Sequence, residues 1–352
     1  MTTEAVGATP DALLSVRKLS KDYGGGSSLF GKYVRPVRAV DEVSFDIAPG
    51  EVVGLVGESG SGKTTVGRTI LQLHQPSSGE ILFNGEDITK AGASRMRHLR
   101  AQMQMIFQDP FSSLNPRARV ETIIGEGVDL RTRLPKAERR REIMTMLEKV
   151  SLSAEHLRRF PHEFSGGQRQ RLSIARALAV GPRLIVADEP VAALDVSIQA
   201  QIMNLIADLQ RETGISMLFI SHDLGLVEFI ADRVMVMYLG RVVEISPTRE
   251  LFSNPRHPYT QALLSASPEP DPRKARARQR TLLQGDPPSP AHPPSGCSFR
   301  TRCPFAIAAC AERRPPLLKV GPGHEVGCIR VDDLAIAGFM PDQRPSPPVG
   351  AG

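Results

Sequence analysis

Nine consecutive residues carry the clearest chemistry in this chain: Gly57-Glu58-Ser59-Gly60-Ser61-Gly62-Lys63-Thr64-Thr65. They fit the pattern G-x-x-x-x-G-K-[ST], with Gly57, Gly62, Lys63 and Thr64 in the fixed positions. An apolar run, Val52 to Val56, precedes them as a buried strand would, and a helix-like run from Val66 to Leu73 follows, stopping before Pro76. Glycines let backbone N–H groups curl around a polyphosphate, and the helix N-terminus adds donors and partial positive charge. Lys63 is placed to reach outer phosphates, and the Thr64 hydroxyl to hold Mg²⁺. The stretch reads as a nucleoside triphosphate cradle.

A second constellation is Leu184-Ile185-Val186-Ala187-Asp188-Glu189-Pro190, a buried strand that ends in two carboxylates. Behind a phosphate loop, Asp188 suits Mg²⁺ and Glu189 suits general-base activation of a water aimed at the γ-phosphate. A third is Ser165-Gly166-Gly167-Gln168, where Ser165 and Gln168 form an S-x-x-Q capping box. Its helix carries Leu172, Ala175, Leu178 and Ala179 on one face and ends near Gly181-Pro182. The residues alone leave two readings for this cap, a plain helix start or a second anion site.

The elements around these motifs alternate. Strand patterns fall at Leu13–Leu19, Val37–Ile47, Gly79–Phe83, Met103–Phe107, Leu184–Ala187, Met217–Ile220 and Val234–Leu239, with helices between, such as Ile198–Glu212. This predicts an α/β core with a largely parallel sheet and a phosphate loop at the carboxyl end of its strands. From Pro116 to Phe164 the pattern is helical and charged, with Ile143, Met146, Leu147 and Val150 on one face and Arg139-Arg140-Arg141 on a solvated one. After Asn254 prolines become frequent, as in a linker, before a small cysteine-bearing module.

Bulk properties narrow the function classes. The 352 residues carry a net charge of +6, which is compatible with a soluble basic surface, nucleic acid or an anionic membrane. Aromatics make up only 5% and Trp is absent, which weakens base stacking as a role. No apolar run approaches the ~18 residues of a membrane span, and Met1–Ala12 lacks a signal-peptide core; a cytosolic setting is expected. The four cysteines all lie late, as Cys297-x5-Cys303-x6-Cys310-x17-Cys328. Four thiolates suit an iron–sulfur cluster or a structural zinc; the lack of a C-x-x-C knuckle argues against zinc, and the cytosol against disulfides.

Together the motifs resemble the ATP-binding cassette (ABC) ATPases. Ser165-Gly166-Gly167-Gln168 is similar to their signature motif, which in that family caps the ATP held by a second, head-to-tail domain. Gln108 resembles the Q-loop glutamine, adding to Thr64 and Asp188 at Mg²⁺. Asp195, in Ala193-Leu194-Asp195, resembles the D-loop, and His222 the switch histidine that joins Lys63 and Glu189 in catalysis. Tyr23 resembles the aromatic that stacks on adenine, with Tyr33 or Phe30 as substitutes. Phe164 stands where leucine is common, Thr65 where serine is, and Ala187 where cysteine is frequent, and none of these removes a needed group.

His257-Pro258-Tyr259-Thr260-Gln261-Ala262-Leu263-Leu264 and the later cysteines are similar to the extension of oligopeptide/dipeptide importer ATPases, with nickel importers sharing part of the pattern. The resemblance implies a phosphate-loop ABC core with an antiparallel β subdomain, an inserted helical subdomain and a small Cys-bearing C-terminal extension. With a disordered leader read at 1–11 and a disordered Pro/Gly-rich tail at 335–352, it implies an ATPase domain at 12–254 (helical insert about 112–165) and an extension at 255–334. ATP and Mg²⁺ are the implied cofactors, with a [4Fe–4S] cluster on Cys297, Cys303, Cys310 and Cys328, structural because it lies far along the chain from the ATP residues. The implied activity is ATP hydrolysis coupled to uptake of di- or oligopeptides. Nickel or another small solute is the alternative cargo, and a soluble ATPase acting on nucleic acid or the ribosome the alternative class. The implied partners are a second, different ATPase subunit, two transmembrane permeases and an extracytoplasmic solute-binding protein, with no nucleic acid, at the cytoplasmic face of the inner membrane. An isolated subunit would then hydrolyse ATP weakly and in a concentration-dependent way.

Overall fold

The computed structural model describes residues 12–27, 33–34, 36–266 and 285–336. The leader 1–11, Phe30 and all but the first two residues of the tail 335–352 lie outside the described residues, as does the side chain of Tyr33.

The chain opens with β1 (Leu14–Tyr23), the two-residue strands β2 (Gly26–Ser27) and β3 (Tyr33–Val34), and β4 (Val37–Ile47). β1 runs antiparallel to β4, with Leu14 opposite Ile47. Next come β5 (Val52–Val56), α1 (Lys63–Ile70), β6 (Ser78–Phe83) and β7 (Glu86–Asp87). β6 pairs with the other edge of β1, so β4, β1, β6 and β7 form an antiparallel sheet.

A helical stretch interrupts the α/β alternation. It begins with α2 (Ala93–Gln102), which runs straight into β8 (Met103–Ile106), and continues through α3 (Pro110–Ser113), α4 (Val120–Arg131) and α5 (Lys136–Lys149) to α6 (Gly166–Ala179). Ile143, Met146, Leu147 and Val150 are buried as their helical spacing predicts. They join Ile123 and Val128 of α4 and Leu172 of α6 in one cluster. Arg140 and Arg141 are exposed, while Arg139 pairs with Asp129 on α4 at 2.6 Å.

The remaining elements complete the large sheet. They are β9 (Leu184–Asp188), α7 (Val196–Thr213), β10 (Ser216–Ile220), α8 (Leu224–Ile230), β11 (Arg233–Tyr238) and β12 (Arg241–Pro247). After α9 (Thr248–Ser253) and α10 (Pro258–Ala266) follow α11 (Ala309–Glu312), β13 (Leu318–Gly321), β14 (His324–Val326) and α12 (Val331–Ile336). The sheet order is β13-β14-β12-β11-β5-β10-β9-β8, parallel from β11 to β8 and antiparallel beyond β11.

Alternation along the parallel strands divides the core. Val52, Val56, Ile185 and Phe219 face the helical stretch and the C-terminal segment. Val53, Leu55, Val186 and Leu218 face α1 and the antiparallel sheet. Strands buried on both faces read as continuous apolar runs, which is why β5, β9 and β10 are visible in the sequence. The fold is thus a mixed α/β ABC-ATPase type, with antiparallel sheet, inserted helices and a small C-terminal extension.

The extension adds to the sheet rather than standing apart from it. β14 pairs with β12, Glu244 opposite Val326, so β12 is not left as an open edge. The stretch after Asn254 that reads as a linker contains α10, with Pro258 at its first position, where a missing N–H costs nothing. No described helix is long and apolar enough to cross a membrane.

Candidate functional site

The phosphate loop connects β5 to α1 and is shaped by backbone contacts that exclude side chains. Gly57 has φ 151° and Gly62 φ 103°. A Cβ on Gly57 would lie 2.1 Å from the Met237 carbonyl oxygen, and one on Gly62 would lie 2.1 Å from that of Ala39. The Ser61 carbonyl accepts from Gly240 N–H at 2.9 Å, tying the loop to the β11–β12 turn. Ser59 and Gly60 are exposed, so the loop crest is open.

Lys63, buried at the first position of α1, donates from Nζ to the carbonyls of Gly57 (2.8 Å) and Glu58 (3.1 Å). Burial pushes its pKa down, against the opposing pull of Glu189, Asp188 and Glu58. It is a cation held inside the loop by two carbonyl oxygens. The buried Ser61 hydroxyl has no partner, as expected of a group facing a ligand position. Thr65 follows at the third position of α1, half-buried, its carbonyl accepting from the Thr69 hydroxyl.

The carboxylates arrive from β9. Asp188 is 1% exposed and accepts from the Thr64 hydroxyl at 2.8 Å. Desolvation raises its pKa, opposed first by that hydrogen bond. A hydroxyl and a carboxylate oxygen in contact beside a phosphate cradle are hard oxygen donors of the kind Mg²⁺ takes when phosphates and water complete its shell. Glu189 sits just beyond, with φ 46°, an unusual backbone conformation for a residue with a side chain. Its N–H donates to the Ile220 carbonyl at 2.9 Å. One carboxylate oxygen accepts from Gln108 Nε2 at 2.9 Å, and the other lies 3.3 Å from His222 Nδ1. Gln108 comes from the end of β8 and His222 from the end of β10, so three strand ends meet here.

The structure therefore brings together Lys63, Thr64, Gln108, Asp188, Glu189 and His222. It does not bring Ser165–Gln168 to them. Gln168 N–H donates to Ser165 Oγ at 3.3 Å, and Ser165 N–H to Gln168 Oε1 at 3.1 Å, so the capping box closes on itself. Ser165 and Gly166 are exposed. Gly166 and Gly167 lie against Leu194 and Ile198, beside Asp195 at the start of α7. Tyr23 stands at the end of β1, 37% exposed, edge-on to His74 with ring centroids 5.7 Å apart.

The iron–sulfur expectation is corrected. Cys297, Cys303, Cys310 and Cys328 do converge on one apolar cavity with Phe299 and Phe305, and all are free. Yet among the described residues no group of three or more His, Cys, Asp or Glu is placed to hold a metal ion. Burial also pushes the Cys297, Cys303 and Cys328 thiols up, Cys303 to about 12 and Cys328 to about 11, as for thiols set among apolar side chains. They pack as small apolar side chains. A structural zinc fails on the same grounds.

Separation in sequence also misleads about this segment. Arg302, one residue before Cys303, reaches Glu58 of the phosphate loop at 2.7 Å and 3.0 Å. Tyr259 accepts from the Glu58 N–H at 2.9 Å. Neither contact has a local signal in the sequence. Glu244 of β12 is likewise unforeseen: fully buried, it accepts from Arg256 N–H, His257 N–H and His324 Nε2 at 2.8, 3.0 and 2.8 Å.

Comparison with known proteins accords with this geometry. Residues 40–192 match the ABC transporter family model, and residues 243–310 match the model for the C-terminal region of oligopeptide/dipeptide transporters. A Brucella ovis protein named for peptide import and ATP binding is 56% identical over 322 residues, covering 92% of this chain and 99% of its own. The oligopeptide transport ATP-binding protein AppF of Bacillus subtilis is 49% identical, over 91% of this chain and 98% of its own. Among solved structures, the dimeric ATP-binding cassette MJ0796 in a post-hydrolysis state with ADP and Pi is 28% identical, with TM-score 0.60, covering 67% of this chain and 99% of that one. The cbiO1 protein of Clostridium perfringens, part of the cbiONQ transporter complex, is 30% identical at TM-score 0.60, covering 69% of this chain and 92% of that one. The chain belongs to the ABC transporter ATP-binding proteins of the peptide/oligopeptide importer family.

Proposed function

We propose that this chain hydrolyses ATP to drive uptake of di- and oligopeptides, as one of two different ATPase subunits at the cytoplasmic face of the inner membrane. Membership in the family implies a multisubunit complex. Two permeases and an extracytoplasmic solute-binding protein complete it in this reading. The peptide cargo is supported by the match of residues 243–310 to the oligopeptide/dipeptide C-terminal region and by the names of the relatives.

Gly57–Thr65 wraps the triphosphate, and Tyr23 covers the adenine. Lys63 leaves the carbonyls of Gly57 and Glu58 for the outer phosphates. Thr64 and Asp188, with Gln108 beside them, would hold Mg²⁺, which would supply charge neutralisation on the phosphates. Glu189 takes the proton of the attacking water while His222 and Gln108 keep its carboxylate aimed. The water oxygen bonds to the γ-phosphorus as the bond to the β–γ bridging oxygen breaks, giving ADP and phosphate. Ser165–Gln168 and Asp195 face outward to complete the site of the partner subunit, and its equivalents complete this one.

The observation that carries this reading is the position of Glu189, between Gln108 and His222 and next to the Thr64–Asp188 pair. Glu189→Gln keeps the side-chain shape and removes the base. In the assembled transporter it should bind ATP as tightly as the wild type and lose at least about 100-fold in turnover. Near-normal hydrolysis in that variant would falsify the assignment. The cargo is tested separately, by uptake of labelled di- and oligopeptides in cells with and without the gene.

A further inference from the structure

We infer that Arg302 and Tyr259, both from the segment after the ATPase sheet, are positioning residues that hold the phosphate loop in its binding shape. The inference rests on reading Gly57–Thr65 as the ATP cradle. Glu58 follows Gly57, and both of its polar ends are taken by that segment. Its N–H donates to the Tyr259 hydroxyl at 2.9 Å, and its carboxylate receives a two-pronged contact from Arg302 at 2.7 and 3.0 Å. Arg302 is 244 positions away in sequence, and its side chain is only 7% exposed.

The support behind the two residues is rigid. Tyr259, Tyr238 and Phe299 are each at most 1% exposed and pack with ring centroids 4.7 to 5.3 Å apart. Arg302 also reaches the Tyr238 hydroxyl at 3.5 Å, and Tyr238 ends β11, beside the Met237 carbonyl that abuts Gly57. One aromatic block thus joins the strand that pairs with β5, the loop's second residue and the arginine.

Charge makes the contact matter for ATP. Glu58 places a carboxylate in a loop that must receive a highly anionic triphosphate, and its carbonyl is one of the two that hold Lys63. Paired with Arg302, the carboxylate presents little net charge and stays out of the cradle. Unpaired, it would repel the phosphates and compete for Lys63.

The test is equilibrium nucleotide binding by the full chain, with thermal unfolding and circular dichroism on every variant. Arg302→Gln should weaken ATP by about tenfold and ADP by clearly less, because the repulsion scales with phosphate charge. Glu58→Gln combined with Arg302→Gln should recover ATP affinity to within about threefold of wild type, because the stranded carboxylate is gone. Tyr259→Phe keeps the ring and should cost about fivefold in ATP affinity, and it serves alone if Arg302→Gln does not fold. Equal losses for ATP and ADP, or a double variant no better than Arg302→Gln, would mean a merely structural pair and overturn the inference. So would wild-type ATP affinity in a folded Arg302→Gln or Tyr259→Phe. Lys63→Ala is the control: if it binds ATP like the wild type, the cradle reading itself has failed, whatever Arg302 does.

Discussion

Thr64 donates its hydroxyl hydrogen to Asp188 at 2.8 Å, joining the first turn of α1 to the end of β9 across 124 positions. In the proposed mechanism both oxygens would be ligands of Mg²⁺, which their contact beside the loop suits. Thr64→Val keeps the shape of the side chain and removes the oxygen. It should retain metal-free nucleotide binding, lose the increase in affinity that Mg²⁺ gives, and lose about 100-fold or more in hydrolysis. Affinity measured with Mg²⁺ and with a chelator separates these outcomes; an undiminished Mg²⁺ effect would remove Thr64 from the metal site.

The loop's shape predicts a different failure. A Cβ on Gly62 would sit 2.1 Å from the Ala39 carbonyl and 2.9 Å from Met237 Cε, at a φ of 103°. The Met237 side chain can turn aside, but the carbonyl belongs to β4 and cannot. Gly62→Ala should therefore displace the loop and cost 1–3 kcal/mol of stability by order of magnitude, about 2. ATP binding should fall more than tenfold, because the donors no longer converge. Titration of the folded variant with ATP, alongside a urea melt, checks both.

These two sites show what the sequence makes legible. The strands β5, β9 and β10 are apolar on both faces, and the motif residues Gly57, Asp188 and His222 stand at or just beyond their ends, so pattern and motif agree in position. The Ser165–Gln168 box is written in adjacent residues and closes as its spacing predicts. The contacts of Glu58 with Arg302 and Tyr259 are opaque for the opposite reason: they link segments more than 200 positions apart, with no periodicity to announce them. The cysteine spacing misleads because four thiols that meet in a cavity have the same sequence pattern whether or not they hold metal. The placing of the side chains decides that, and it cannot be read from spacing. β12, with Glu244 facing inward, is obscured by a charge at a core position.

His257 makes acid stability depend on one buried ring. It is 1% exposed, and its Nδ1 accepts from Tyr259 N–H at 3.1 Å. Desolvation holds its pKa down at about 4, against the opposing charge of Glu244. The unfolded chain, with an ordinary value near 6.5, therefore binds the proton first. Stability from this group is full above about 6.5 and is lost as the pH falls toward 4, at up to about 1.4 kcal/mol per pH unit. His257→Asn offers an acceptor that does not titrate, so its melting temperature should fall less steeply between pH 6.5 and 4.5. Parallel curves for variant and wild type would show that the ring is not the group responsible.

Glu244 ties three parts of the fold through one carboxylate: β12, the start of α10, and β14. Glu244→Ala would strand the buried His257 N–H, the part-buried Arg256 N–H and the His324 ring, a loss of about 3–5 kcal/mol. Glu244→Gln keeps one acceptor oxygen and should cost about half as much. The damage should centre on the docking of β14 and α10, seen as faster hydrogen exchange at His324–Val326 and at Tyr259. Uniform loss of protection across all strands would instead mark Glu244 as part of the global core.

The exposed signature cap gives the last prediction. Ser165 and Gly166 are exposed, and the side chains of Ser165 and Gln168 are hydrogen-bonded to each other's backbone N–H rather than to the phosphate loop of this chain. In the proposed mechanism they act on nucleotide held elsewhere. Ser165→Arg should therefore leave ATP affinity of the isolated chain unchanged and abolish hydrolysis in the assembled transporter, because the added bulk keeps two subunits from closing on ATP. Wild-type activity of the isolated chain should rise faster than linearly with its concentration, since two chains must meet for each productive site. A rate strictly proportional to concentration, with Ser165→Arg as active as wild type, would mean that the cradle works alone. The partner would then have no part in the chemistry.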